Sequence, residues 1–215
     1  MARSTGTKTW VRPWMIGALA FVIVLIAAAS SVKVVSREDA TAAEQGSFDP
    51  ASYAEERYES EVAPQIEEDA HDLSTLLTDL AGGADEADLG NTSGASSAYS
   101  FPVTFTGVAG TPAGAILPVT VDGVPPGVTV QVQIGPALNG TALRDVTGTV
   151  SFNQFTNQLQ YQQVATELNN QVREKVLADV EPATLPGKTI TVTGAFTRVN
   201  PALVSVVPVT FEVQQ

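Results

Sequence analysis

The 215-residue chain has no cysteine, a single histidine and only eight basic residues from Lys33 onward. Without cysteine there is no disulfide, no thiolate metal site, no cysteine nucleophile and no attachment point for a thioether-linked lipid, so the fold must be held by burial alone. The lone His71 stands among Asp69, Asp72 and several glutamates, which on a helix makes a solvated acidic face. One imidazole with no second histidine or thiolate does not make a zinc site. No G-x-S-x-G frames a serine to partner it, and no D-x-D-x-D-G loop supports calcium. No metal and no cofactor is therefore expected.

Positive charge is scarce where it would matter for nucleic acid. All 23 acids follow Lys33, so the chain from that residue on carries 8 minus 23, a net charge of −15. Sixteen of the acids fall between Glu38 and Asp88, against the single Arg57. Such a field repels phosphate backbones, which excludes a nucleic-acid partner and reads most simply as a solvated acidic surface.

One long apolar run is present. Residues 13–32, between Arg12 and Lys33, hold no formal charge, and Trp14 to Ala29 is almost wholly apolar. As a helix it would span about 30 Å, the thickness of a bilayer's hydrocarbon core. Arg3, Lys8 and Arg12 precede it without an acid, which keeps residues 1–12 cytoplasmic and sends the remainder outside. Trp10 and Trp14 suit the cytoplasmic interface. Ala27-Ala28-Ala29 before Ser30 also fits a signal-peptidase site, so the competing reading is a cleaved signal segment. Either way the body is expected to be extracytoplasmic, and as an anchor the span makes the cell membrane its first partner.

Beyond a juxtamembrane linker at 33–47, Phe48-Asp49-Pro50 reads as a helix start, with Asp49 as cap and Pro50 in the first turn. Pro64 should kink or restart this helix, after which Ile66, Ala70, Leu73, Leu77 and Leu80 form a stripe ended by Gly82-Gly83. Residues 48–83 are thus expected as a helical subdomain, and the polar, Gly/Ser-rich 84–98 as a flexible linker. From Tyr99 the texture turns to β-branched residues broken by Gly and Pro. Strands are expected over 101–108, 115–121 and 128–134, where Val128, Val130, Val132 and Ile134 alternate with polar residues. A long helix at about 153–180 follows on the spacing of Tyr161, Val164, Ala165, Leu168, Val172 and Val176, then strands over 189–196 and 203–213. Pro208 predicts an edge or a bulge in the last. Three strands, a helix and two strands is the element order of the OB-fold, a small five-stranded barrel. The fold class is therefore mixed α+β: an OB-like β-β-β-α-β-β barrel over 99–215, the helical subdomain and an N-terminal transmembrane helix. An open antiparallel sheet packed on the long helix is the competing architecture.

The most individual stretch runs from Val130 to Tyr161 and contains Gln133-Ile134-Gly135-Pro136, Gly140-Thr141-Ala142-Leu143-Arg144-Asp145, and Phe152 with Phe155, Asn157 and Gln158. With Phe48-Asp49-Pro50, Val62-Ala63-Pro64, Gly194-Ala195-Phe196 and the Pro208 strand, it resembles a bacterial family of predicted periplasmic lipoproteins, usually encoded beside ribose-type sugar ABC transporters. The resemblance implies an extracytoplasmic protein with an accessory role in sugar uptake, its partners being a transporter permease or binding protein and possible sugars. Members of that family carry a lipidated cysteine just before a Lys-Val-Val-like tripeptide. Here Val32 precedes Lys33-Val34-Val35, so the apolar helix must replace the lipid or the protein is released.

Gly135, Gly140 and Gly148 mark the loop after the third strand as a place where backbone can approach a ligand. Arg144 offers a donor fork and Asp145 an acceptor, while Gln133, Thr141, Asn153, Asn157 and Gln158 supply amides and a hydroxyl suited to sugar hydroxyls. Phe152, Phe155 or Tyr161 could stack on a sugar face. Gln133, Gly135, Thr141, Arg144, Asp145, Phe152, Asn157 and Gln158 are the candidate ligand-binding residues, and no catalytic residue is assigned. The alternative makes Arg144 and Asp145 a loop ion pair at the barrel mouth and the aromatics core. In function, a membrane-anchored, non-enzymatic accessory or binding protein competes with a carbohydrate-active enzyme using Asp145 with Glu167 or Glu174, and with a structural adaptor of the envelope.

Overall fold

The computed structural model describes residues 48–214. The cytoplasmic segment, apolar span and juxtamembrane linker expected over residues 1–47 lie outside the described residues. Among the described residues no helix is long and apolar enough to cross a membrane. Asp49 accepts from the Ala51 N–H at 3.0 Å and from the Ser52 hydroxyl at 2.7 Å, so α1 (Pro50–Arg57) starts where the sequence predicts. Pro64 has no N–H to offer, and its ring would press on the carbonyl four residues back. The helix answers with a π turn over Tyr58–Val62, in which the Ala63 N–H reaches the Tyr58 carbonyl, and α2 (Ala63–Asp69) follows.

The stripe from Ile66 to Leu80 is not one helix. Ala70 is extended, His71–Asp72 forms a short β1 parallel to Val103 and Thr104, and Asp72 caps a new helix, α3 (Leu73–Ala81), by accepting from the Thr75 N–H at 2.9 Å. Apolar spacing could not reveal the break, because Ile66, Leu73, Leu77 and Leu80 are buried in the same core on both sides of it. His71 is half-buried in β1, with Nε2 3.2 Å from the Leu89 carbonyl, and does not sit on a helix face.

The segment 84–98, expected as a flexible linker, carries α4 (Glu86–Leu89) and is tied to the barrel by polar contacts. Asn91 exchanges both backbone hydrogen bonds with Ser100, its side-chain amide donates to the Val146 carbonyl at 2.6 Å, and Glu86 pairs with Arg198. Apart from the backbone pair with Ser100, these are single side-chain bonds in a polar sequence, which composition cannot show. Phe48–Gln215 forms one compact unit, so the helices belong to the barrel and are not a separate subdomain.

Five strands close the barrel: β2 (Ser100–Ala109), β3 (Ile116–Thr120), β4 (Thr129–Gln133), β5 (Thr189–Thr197) and β6 (Leu203–Val213). Around it they run β2-β3-β4-β6-β5 and back to β2, antiparallel except for the parallel β4–β6 pair. The open-sheet alternative is thereby excluded. Between β4 and β5 come a four-residue α5 (Ala142–Asp145) and α6 (Gln158–Lys175), shorter than the helix expected at 153–180. Phe152–Gln154 forms a separate 3-10 turn, and Asn157 caps α6 by accepting from the Gln160 N–H at 3.0 Å. Tyr161, Val164, Ala165, Leu168 and Val172 are buried, as their spacing predicts.

Pro208 sits at a bulge, as expected. The β5–β6 register shifts between Thr193 and Gly194, and Gly194 lies opposite Pro208. A Cβ on Gly194 would come within 2.3 Å of the Val207 carbonyl oxygen, so only glycine fits. We expect Gly194→Ala to destabilise by about 1–3 kcal/mol in urea denaturation. Gly94→Ala, which meets only the Ser97 hydroxyl at 4.0 Å, should change stability little.

The caps also set an acid limit. Hydrogen bonds from Ser74 and Thr75 hold the Asp72 carboxyl below its ordinary value, and those from Ser52 and Ala51 do the same for Asp49. A depressed carboxyl contributes stability that is complete above about pH 4 and fades as pH falls through the native value. Denaturation midpoints should therefore drop below about pH 4. Asp72→Ala should cost about 1 kcal/mol at neutral pH and flatten part of that acid slope.

Candidate functional site

The residues singled out in the Val130–Tyr161 stretch separate into two groups. Arg144 and Asp145 lie on α5, each 5% exposed. Adjacent charges on so short a helix turn together: Arg144 Nε donates to Asp145 Oδ1 at 2.7 Å and Nη2 to Oδ2 at 3.1 Å. Nη1 donates to the Tyr161 carbonyl at 3.2 Å, and the guanidinium carbon lies 3.6 Å from the centroid of the Tyr161 ring. The Thr141 hydroxyl donates to Asp145 Oδ2 at 2.6 Å and the Tyr161 hydroxyl to Oδ1 at 3.4 Å. Burial pushes the Tyr161 phenol above its ordinary value, with Arg144 opposing and Asp145 adding to the shift. The polar atoms of the pair are engaged inside the protein, so this is a buried lock between α5 and α6.

The aromatics continue from that lock. Tyr161 packs on Phe155 at 5.5 Å and edge-on to Phe152 at 5.7 Å, and Phe155 meets Phe48 at 5.3 Å and Tyr53 at 5.5 Å. Phe155 and Tyr161 are buried, and Phe152 is 44% exposed. Asn157 is committed to its helix cap, while Gln158 and Asn153 are exposed. Of the enzyme candidates, Glu167 accepts from Asn170 Nδ2 at 2.9 Å and Glu174 pairs with its neighbour Arg173 at 3.5 Å.

The second group faces a cleft. Gln133, at the end of β4, reads both backbone groups of Asn139: its Nε2 donates to the Asn139 carbonyl at 3.0 Å and its Oε1 accepts from the Asn139 N–H at 2.7 Å. With Gly135 at φ 125° and Gly140 at φ 100°, this bridge folds 134–141 back on itself. Asn169 Nδ2 donates to the Gly140 carbonyl at 3.1 Å, and Thr141 leads into the lock. Between this loop and the β5–β6 hairpin lies a cavity of about 320 Å³. Ala142, Val199, Leu203 and Val207 give it apolar surface; Gln133, Asn139, Thr197, Asn200 and Ser205 give it amides and hydroxyls. Among the described residues no ionisable side chain lines it. Asn200 Oδ1 accepts from the Ala202 N–H at 2.9 Å, and Val199 is 80% exposed at its rim.

Only Gln133 of the candidate set lines this cleft. Asn139, Thr197, Asn200 and Ser205 escaped sequence reading because their meeting depends on barrel closure. The one local signal was the Asn200-Pro201 turn between two strands. Among the described residues no group of three or more His, Asp or Glu is placed to hold a metal ion.

Arg144→Met would leave the Asp145 carboxylate buried without its partner, at an expected cost of about 3–5 kcal/mol in urea denaturation. Adding Asp145→Leu should recover much of that loss, because the uncompensated charge is then removed.

The sequence profile of a family described as predicted periplasmic lipoprotein (DUF2291) matches residues 22–212. Among solved structures, an OB-fold protein from Thermotoga maritima is similar with a TM-score of 0.61 and 20% sequence identity, over 78% of this chain and 99% of that chain. At that identity the likeness concerns the fold alone, and it agrees with the strand order of the closed barrel. No curated protein matches the chain. With most of its length inside the family profile, the chain belongs to the predicted periplasmic lipoprotein family of unknown function and folds as an OB-type barrel.

Proposed function

We propose that the protein is a non-catalytic accessory or binding protein, held at the outer face of the cytoplasmic membrane, that takes a neutral, hydroxyl-rich ligand and serves a sugar uptake system. The observation that carries this reading is the cleft beside Gln133, which has no ionisable lining in a chain of net charge −12. Side-chain amides and hydroxyls beside apolar surface suit a sugar, whose hydroxyls both donate and accept and whose C–H faces are apolar. The family description supports an extracytoplasmic setting.

The membrane attachment is proposed on sequence grounds. Val32 stands where the resembling lipoproteins carry cysteine, and the chain has no cysteine at all, so the uncharged span before Lys33 is the available anchor. The absence of chemistry is proposed as well: Asp145, the carboxylate best suited by sequence to acid–base work, is engaged by Arg144 and Thr141.

Titration calorimetry of the full-length protein in detergent with uncharged pentoses, hexoses and polyols should give saturable heat with at least one. Val199→Glu, at an exposed position on the rim, should weaken that binding at least tenfold without changing stability. No heat with any of them would overturn the sugar reading and leave a role through protein contacts alone.

A further inference from the structure

The hairpin that forms one wall of the cleft stops pairing before its strands end. β5 and β6 are paired as far as Ala195 and Val207, yet β5 runs on to Thr197 and β6 begins at Leu203. Each strand has found another neighbour: Thr197 stays in register with Ser100 of β2, and Leu203–Val206 with Thr129–Val132 of β4. The strands therefore diverge at this end, and the cavity lies in the gap, with Thr197, Leu203 and Ser205 among its lining.

The direction of each backbone group follows from neighbouring bonds. The Thr129 N–H donates to the Ala202 carbonyl at 2.9 Å, so Ala202 faces β4, and by alternation Val204 does too while Leu203 and Ser205 face away from β4. On the other strand, Ser100 exchanges its bonds with Asn91 and the Arg198 N–H donates to the Tyr99 carbonyl, so Arg198 faces β2 and Thr197 faces β6. The Thr197 carbonyl accepts from the Val199 N–H at 3.0 Å, and the Leu203 N–H donates to the Asn200 carbonyl at 3.1 Å. What the ladder leaves facing the gap is the Thr197 N–H, the Leu203 C=O and both the N–H and the C=O of Ser205.

A carbonyl on one strand edge that faces an N–H across a gap is complementary to a trans secondary amide, whose N–H and C=O point in opposite directions. We propose that the ligand of this cleft carries a secondary amide, as an acetamido sugar does, with the amide N–H donating to the Ser205 carbonyl and the acyl oxygen accepting from the Thr197 N–H across the gap. The acyl methyl group then packs on Val199, Leu203 or Val207, and the remaining hydroxyls meet Asn139 and Asn200. This rests on the cleft being the ligand site and adds what the ligand must contain.

The test is calorimetry on the full-length protein with N-acetylglucosamine, glucose and an N-acetylated, C-amidated dipeptide. The proposal expects N-acetylglucosamine to bind at least tenfold more tightly than glucose. The dipeptide decides the source of the amide: binding at least as tight as that of the amino sugar assigns the site to peptides and overturns the sugar part alone. Equal affinities for N-acetylglucosamine and glucose overturn the amide inference while the cleft remains a sugar site, and no heat with any of the three overturns both. Thr197→Pro removes the N–H that faces the gap without removing a backbone bond to β2, losing besides it only the hydroxyl contact with Ser100 at 2.8 Å, and should abolish the preference for the acetamido group. If that variant does not fold, the ligand series on the unaltered protein decides.

Discussion

Most of what surrounds the cleft depends on the ion pair between Arg144 and Asp145. Neighbouring residues of opposite charge would be a marginal contact on a surface. Here both are nearly excluded from water, the carboxylate accepts from Arg144, Thr141 and Tyr161, and the guanidinium is sandwiched against the Tyr161 ring. Burying such a pair is costly and breaking it is costlier, so its value lies in fixing one arrangement. It joins α5 to the first turn of α6, and through Phe155 the aromatic chain reaches Phe48 and Tyr53 at the start of α1. In the other direction Thr141 ends the loop that walls the cleft.

The opposite wall comes from a conflict of pairing within the barrel. β5 must reach β2 to close the sheet, and β6 must lie parallel to β4, so the hairpin that links them cannot stay zipped along its whole length. The bulge at Thr193/Gly194, opposite Pro208, is where the bending starts, and only a glycine lets the strands come close enough there. A loop bridged by Gln133 on one side and a splayed hairpin on the other produce a cleft without charge on a protein rich in acids. The acids lie mostly on the helices before the barrel, where they keep the surface hydrated.

Much of the fold was legible because its signals are periodic. Alternation at Val128, Val130, Val132 and Ile134, helical spacing from Tyr161 to Val176, and prolines at their ends suffice for strand, helix and order. Pro208 was read as an edge or a bulge because a missing N–H leaves few alternatives, and the bulge is what forms. The break at Ala70–Asp72 was not legible because the same core buries the apolar stripe on both sides of it, and the docking of Asn91 because it depends on one side chain reaching the distant Val146. The proposed cleft was legible only in part. Arg144, Asp145 and Thr141 stood out as polar residues in a loop, but sequence does not distinguish a polar group aimed at a ligand from one aimed at its neighbour. Gln133 is the candidate that lines the cleft, and Thr197, Asn200 and Ser205 join it only once the barrel closes.

On the proposed reading the cleft beside Gln133 holds the ligand, and the Arg144–Asp145 lock only supports it. Backbone amide shifts of isotope-labelled protein, mapped during titration with N-acetylglucosamine, separate the two. The largest changes are expected at Thr197, Asn200, Ser205 and Asn139. Changes centred instead on Arg144, Asn157 and Gln158, with the hairpin unmoved, would contradict it.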